Sequence, residues 1–209
     1  MCLPGQAPPV PETATEAAAM ARAALGWLAA ADAASLTLAE QAECLRALEQ
    51  AGSMHTAARA RVLAAFIAQG GYEDDGHGSA KTWLAWQTRV TRGAAGGALG
   101  WARRLAAHPA VRDALAAGDI SGSWARQICA WSDLLPEEAR ADADVILLGA
   151  AAGGADLSDL AGLAEEIRRR CARPDTDDDG FDERGLRLGT TFRGAGKLDG
   201  DLTPQCAGR

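Results

Sequence analysis

The sequence predicts a mostly α-helical fold, with a helical domain of six or seven helices over residues 14–172, one of them long, and a short C-terminal β-hairpin. The composition favours helices because 49 of the 209 residues are Ala, the strongest helix former, whereas only three are Phe and one is Tyr. Helix-capping motifs also recur along the chain, and apolar residues follow them at helical spacing.

The first two predicted helices each begin at a capping box. Thr13 begins the motif TATE, in which Glu follows three residues later, and we predict a helix over 14–33. Thr37 begins the similar motif TLAE, and Leu, Val and Phe residues then recur with a period of about 3.6 over 38–69. A helix of that length needs a partner along one face, either a neighbouring helix or a second copy of the protein.

Turn residues divide the rest of the helical domain. Gly70 and Gly71 end the long helix, and the sequence GGYEDDGHGS at 70–79 predicts a loop. Later helix starts are indicated by residues that cap helices or occupy their first position: Ser79, Thr91, Pro109, Ser121, Pro136 and Asp156. The predicted hairpin at 186–204 depends on alternating residues and a Gly-rich turn. A lone two-stranded hairpin is marginally stable, so we expect it to pack either on the helices or on a part of the protein that is missing beyond the C-terminus.

Composition divides the chain into four segments. The prolines at the start predict a disordered lead-in over 1–13, and the helical domain follows over 14–172. The acid-rich stretch at 173–185 predicts a linker. The hairpin at 186–204 then leads toward a C-terminal domain that we expect to be missing from this chain.

The acidic linker carries one pattern that resembles a metal site. Asp175, Asp177, Asp179 and Gly180 match the first half of an EF-hand calcium loop. The twelfth position of such a loop carries a bidentate Glu, whereas Leu186 stands there in this chain. A solvated turn is the preferred interpretation, and no metal or other cofactor is predicted.

The spacing of the cysteines and the length of the apolar runs indicate the cellular compartment. The five cysteines are far apart and form no CxxC pair, so we predict neither a disulfide framework nor a zinc site. No uncharged run approaches the roughly 20 residues that cross a bilayer. The N-terminus has no basic start followed by an apolar stretch, so no signal peptide is predicted. We therefore expect a cytoplasmic protein with reduced thiols and no membrane partner.

The segment 81–112 departs from the acidic balance of the chain. The formal charge of the whole sequence is −7, and because this segment carries +6, the other residues sum to −13. It contains no Asp or Glu, and its six cations are the predicted nucleic-acid-binding residues: Lys81, Arg89, Arg92, Arg103, Arg104 and Arg112. They have three explanations: exposure without a role, pairing with acidic runs, or binding of phosphates. Exposed ion pairs contribute only about 0–1 kcal/mol each, so pairing explains the cluster poorly.

The helices predicted within this segment have one feature of a DNA-binding helix–turn–helix and lack others. Residues 80–107 have the shape of a helix–turn–helix, but four glycines weaken the second helix, and only Arg92 offers a base-reading side chain at its start. Trp83 and Trp86 are three residues apart, so we predict that they share a helical face and belong to the core.

Catalytic motifs are missing from the sequence. His55, His77 and His108 are widely spaced, and no HExxH, GxSxG or GxxxxGK[ST] pattern is present. The Gly-rich run GAAGGALG follows no predicted strand, so it is not interpreted as a dinucleotide-binding loop. We predict no catalytic residue and expect the chain not to be an enzyme.

A longer block of the sequence resembles a known family. The opening Gly-x-x-Ser-Ala-x-x-Trp-Leu, an Ala-rich helix, an Arg-Leu pair, a Pro and a Gly-Asp-Ile-Ser turn are similar to domain-of-unknown-function family 222, also called the 13E12 repeat family. The matching residues are Ser79, Ala80, Trp83, Leu84, Ala94, Ala95, Arg104, Leu105, Pro109, Gly118, Ile120 and Ser121. The helix at 157–170 and the ending at 186–204 also fit, so the resemblance covers roughly 25–204.

The resemblance implies a nuclease context. Members of this family commonly carry a C-terminal HNH nuclease domain, in which a His activates water and a metal binds the scissile phosphate. This sequence contains no Asn and has no His after His108, so no nuclease residue is transferred to it. We expect an N-terminal domain encoded alone, through truncation or a frameshift.

Two functional hypotheses follow from the sequence. The first is a non-catalytic, nucleic-acid-associated domain that contacts DNA phosphates through the cations of 81–112 and works with a separately encoded nuclease domain. The second is a protein-interaction or homodimerisation module that uses the long helix at 38–69 and binds no nucleic acid.

Overall fold

A computed structural model describes residues 10–172 and the backbone of two strands, at 185–190 and 196–201. Nine α-helices lie in the described residues: α1 (Ala14–Ala30), α2 (Leu38–Ala68), α3 (Gly71–Asp74), α4 (Ala80–Gln87), α5 (Arg92–Ala107), α6 (Pro109–Ala117), α7 (Gly122–Ser132), α8 (Glu137–Ala152) and α9 (Leu157–Cys171). A 3-10 helix at Ala33–Ser35 connects the first two. The predicted lead-in at 1–13 is described only from residue 10 onward, and the predicted acidic linker at 173–185 only at Gly185.

Local capping sets several helix starts as predicted. Thr37 and Glu40 form a complete capping box at the start of α2, with each side chain bonded to the backbone of the other residue. Asp156 and Asp159 form the same arrangement at α9. At the start of α1, the Thr13 hydroxyl accepts a hydrogen bond from the Glu16 amide. The capping box is incomplete there, because the Glu16 carboxylate accepts from the Glu12 amide and not from the Thr13 amide. Caps of this kind stabilise a helix by about 1 kcal/mol each.

The predicted count of six or seven helices is wrong. Each of the eight predicted starts begins a separate helix in the described residues, and α3 forms in addition inside the stretch predicted as a loop. Gly70 precedes α3 in a left-handed conformation with φ of 68°, which Gly adopts without steric cost. The first helix ends at Ala30 rather than at residue 33, and the chain continues as the 3-10 helix.

The predicted fold class also needs correction at its C-terminal end. The body at 10–172 is all-helical and contains no strand or sheet, so a hairpin is not one of its structural parts. Strands β1 (Gly185–Thr190) and β2 (Gly196–Asp201) pair antiparallel with each other, with Leu188 opposite Leu198. The fold class is therefore corrected to α-helical for residues 10–172, and the two strands form a separate pair outside that range.

The described residues fall into two compact units. Unit 1 comprises the residues up to Ala102 together with Asp113–Gly122. Its core includes Ala57, Ala60 and Leu63, which lie on one face of α2 at helical spacing. All the buried residues of α2 come after Gly52, and α1 has none. The first half of α2 and the whole of α1 therefore contribute little to the core of this unit.

Unit 2 comprises Arg103–Arg112 and the residues from Ser123 onward. Its fully buried apolar side chains include Leu105, Ile128 and Leu147. Burial of each such side chain stabilises the fold by about 1.5–3 kcal/mol before the entropy cost of ordering it. This apolar core also encloses charged side chains, including His108 and Asp144.

Candidate nucleic-acid interface

The helix α4 and the start of α5 carry the part of the basic segment that lies in unit 1. The Ser79 hydroxyl accepts a hydrogen bond from the Thr82 amide at the start of α4. The Thr91 Oγ1 atom accepts one from the Ala94 amide at the start of α5, at 3.2 Å. These caps confirm the helix starts predicted at both residues.

Three of the six predicted cations lie in unit 1. Lys81, Arg89 and Arg92 have exposed side chains, and within the described residues none of them forms an ion pair or a hydrogen bond through its side chain. A Cβ atom placed on Gly96 would lie 3.6 Å from Nζ of Lys81, so the Lys81 amine lies against α5. These three charges are available to an anionic ligand.

Arg89 also has an unusual backbone conformation. Its φ of 53° is the only positive value at a non-glycine residue in the described part of the chain. A left-handed conformation costs a non-glycine residue about 1–3 kcal/mol, and residues held in this way occur preferentially at binding sites. The conformation lies in the connection between α4 and α5, in the middle of the basic segment.

The other three predicted cations lie in unit 2 and differ in their availability. Arg103 is exposed. Arg104 is held by an ion pair with Asp133, in which its Nε donates to Oδ2 at 2.7 Å. Arg112 is half-buried and also interacts within the protein. The structure therefore leaves Arg103 as the exposed predicted cation of this unit.

The two tryptophans of α4 have different environments, contrary to the predicted shared core position. Trp83 packs against Phe66 with ring centroids 4.4 Å apart, and its Nε1 donates to Asp75 at 2.6 Å. Trp86 is 75% exposed. Leu84 faces the core, and Trp86 lies two residues further on, about 200° around the helix at roughly 100° per residue. A helical wheel anchored on Leu84 would have predicted this exposure.

Unit 2 contains a buried charged network that the sequence analysis missed. His108, between α5 and α6, is fully buried. Its Nδ1 lies 2.8 Å from Oδ2 of Asp144, and its Nε2 lies 3.1 Å from Oδ1 of Asp133. Both contacts are hydrogen bonds to ionised carboxylates only when the ring carries two protons. With Arg104, the network then contains two positive and two negative charges.

The pKa values of Asp133 and Cys129, which both lie at this network, are shifted in opposite directions. Burial alone would raise the pKa of Asp133, but hydrogen bonds from His108 and Arg104 lower it below its ordinary value. Burial, followed by the repulsion of Asp144, raises the pKa of the Cys129 thiol to about 12. A thiol in this state is a poor nucleophile at neutral pH.

Comparison with known proteins identifies the family. The model of the family described as domain of unknown function (DUF222) matches residues 38–208. This chain belongs to the DUF222 family. The DUF222 match begins at the first residue of α2, so α1 lies outside it. No curated protein and no solved structure gives a significant match.

The described part of the DUF222 chain contains neither a group of metal ligands nor a membrane-spanning helix. Within 10–172 and the two strands, no three His, Cys, Asp or Glu residues are grouped so that they could hold a metal ion. None of the helices described there is long and apolar enough to cross a membrane. The calcium-loop pattern at 175–186 lies almost entirely outside the described residues.

Proposed function

We propose that this DUF222 chain is a non-catalytic nucleic-acid-binding domain. In this proposal, Lys81, Arg89 and Arg92 contact phosphates from the α4–α5 surface. The observation that carries it is the exposure of three cations without internal ion pairs, in a segment with no acidic residue. Lys and Arg bind phosphates through charge-assisted hydrogen bonds.

The internal contacts narrow the predicted set of six cations. Arg104 forms an ion pair with Asp133, and Arg112 also interacts within the protein. Neither residue is therefore proposed to contact nucleic-acid phosphates. Arg103 is exposed and remains a further candidate. The family resemblance, which associates such domains with HNH endonucleases, suggests a nuclease domain as the partner that acts on the bound nucleic acid.

The number of phosphate contacts sets a measurable salt dependence. Three neutralised phosphates give a slope of log affinity against log salt of about −2.7 for duplex DNA and about −2.1 for a single strand. The formal charge of −7 on the whole chain opposes approach to nucleic acid. We therefore expect binding to be measurable at low salt and to weaken steeply as salt is added.

Fluorescence anisotropy with labelled DNA across a salt series tests the proposal. We expect the combined variant Lys81→Gln, Arg89→Gln and Arg92→Gln to lose most of the affinity and most of the salt dependence. A control variant removes three cations that are ion-paired with neighbouring glutamates: Arg46→Gln, Arg168→Gln and Arg170→Gln. Both variants change the formal charge by the same amount, from −7 to −10 (−7 − 3). Equal losses in the two variants would reject a specific role for the α4–α5 surface.

A second candidate function, self-association through α2, is favoured by one observation. Leu38 and Leu45 lie seven residues apart, so they share one face of α2, and they are 83% and 66% exposed. A second copy of the chain would bury these side chains. Sedimentation velocity at micromolar concentration should then show a dimer that Leu38→Gln with Leu45→Gln converts to a monomer. A monomeric unsubstituted chain would reject this candidate.

A further inference from the structure

The exposed indole of Trp86 is not explained by the folding of unit 1. Trp has the largest side chain, and most of its surface is usually buried in folded proteins. Trp83, three residues earlier in α4, follows this rule by packing against Phe66. Trp86 is 75% exposed, and within the described residues its ring makes no aromatic contact.

The chemistry around Trp86 indicates the kind of ligand that would cover it. Lys81 and Arg89 lie five residues before it and three residues after it, and Arg92 begins α5. No acidic residue occurs between Asp75 and Asp113. An exposed flat ring in a segment that also carries three exposed, unpaired cations suits a ligand that combines planar rings with negative charges. Nucleic acids have both features in every nucleotide.

We infer that Trp86 is a stacking platform for an unpaired base, so that the preferred ligand of the α4–α5 surface is single-stranded nucleic acid. This inference rests on the proposed function. A base in a duplex already stacks on its neighbours and does not present its face to a protein surface unless it is extruded from the helix. In a single strand the base faces are accessible, and aromatic side chains bind them with little sequence preference.

The contribution expected from one stacked base is large enough to measure. Alanine substitution of a stacking aromatic residue weakens single-strand binding by about 5- to 150-fold per base. Duplex binding depends on the phosphate contacts and should change by less than about twofold, because it does not use the indole face. The ratio of single-strand to duplex affinity is therefore the informative quantity.

Fluorescence anisotropy with labelled oligothymidylate and with a hairpin duplex, in the same low-salt buffer, tests the inference. We expect Trp86→Ala to weaken oligothymidylate binding by about 5- to 150-fold and Trp86→Phe to restore part of the loss, because Phe retains a ring. Trp27→Ala is the matched control, since Trp27 is 70% exposed on α1 and lies outside the basic segment. It should bind both probes as the unsubstituted chain does. Circular dichroism would confirm that all three variants fold.

The possible contrary results separate the stacking role of Trp86, the preference for single strands and the proposed function. Equal behaviour of Trp86→Ala and Trp27→Ala would overturn the stacking role, even if the triple cation variant still abolished binding and so supported the proposed function. Equal loss of oligothymidylate and duplex binding in Trp86→Ala would overturn the single-strand preference. Failure of the unsubstituted chain to bind either probe would reject both proposals. Binding to phosphatidylserine vesicles but to neither probe would assign the surface to a membrane instead.

Discussion

The Nδ1 atom of His108 lies 2.8 Å from Oδ2 of Asp144, although 36 positions separate the two residues in the chain. This contact joins the α5–α6 connection to α8, and the whole of it lies within unit 2. Both side chains are almost completely removed from solvent, so each depends on a partner inside the protein for its hydrogen bonds. Buried polar groups of this kind make the unit sensitive to the loss of either partner.

We predict that Asp144→Ala destabilises the protein by about 3–5 kcal/mol, because it leaves the His108 ring in a buried site without one of its two carboxylates. Chemical denaturation followed by circular dichroism measures the loss. Asp142→Ala is the control, since Asp142 lies in the same helix with an exposed side chain, and its effect should stay within about 0.5 kcal/mol. Similar stabilities for the two variants would show that the buried contact does not stabilise the fold.

The lowered pKa of Asp133 predicts a loss of stability in acid. A carboxyl group whose pKa is lower in the folded state stabilises the fold above its unfolded pKa, near the ordinary value of 3.8. This stability is lost as the pH falls through the lower, folded pKa. The unfolding free energy of the unsubstituted chain should therefore exceed that of Asp133→Asn at neutral pH, and the difference should shrink below pH 3.8. A pH-independent difference would contradict the assigned cause.

Cys129 should resist thiol reagents in the native state. Its thiol is fully buried, and its pKa of about 12 leaves very little thiolate at pH 8. Cys44 and Cys171 are half-buried and should react sooner. Labelling with an aromatic disulfide reagent, followed by peptide mass spectrometry, gives the order of modification. Labelling of Cys129 at the same rate as Cys44 would be inconsistent with this structure.

Two glycines should respond to alanine with opposite signs. Gly118 has a φ of 79°, and an added Cβ would lie 2.4 Å from Cγ of Gln50. Because the exposed Gln50 side chain can move, the backbone conformation should dominate, and we predict that Gly118→Ala destabilises by about 1–2 kcal/mol. Gly162 lies within α9 with nothing within 4 Å of an added Cβ, so Gly162→Ala should stabilise by about 0.5–1 kcal/mol. Thermal denaturation of both variants would check the signs.

The parts of the fold that the sequence predicted correctly depend on short-range interactions. The capping box of Thr37 and Glu40 involves residues three apart, so its pattern is visible in the sequence. The four-residue helix α3 follows a Gly in a left-handed conformation, and four residues give too short a pattern for periodicity to detect. Among the nine helices of the described residues, α3 is the one for which no start was predicted.

The candidate sites were predicted less completely because they depend on tertiary contacts. The charge of segment 81–112 is visible in the sequence, but the sequence does not show that Asp133 pairs with Arg104. Phe66 comes from α2 and covers Trp83 while leaving Trp86 exposed, and the spacing of the two tryptophans contains no information about that contact. The His108 network joins residues 25 and 36 positions apart, beyond the reach of local patterns.

The lack of any buried residue in α1 has a consequence for local unfolding. Its helical state depends on the Thr13 cap and on the high helix propensity of Ala, and little of its stability is coupled to a core. Its backbone amides should therefore exchange hydrogen through openings that leave the other helices folded. In α7, Ala125, Ile128 and Cys129 are fully buried, so exchange there requires a much larger opening. We therefore expect cooperative unfolding of the core helices to leave out α1, which precedes the family match.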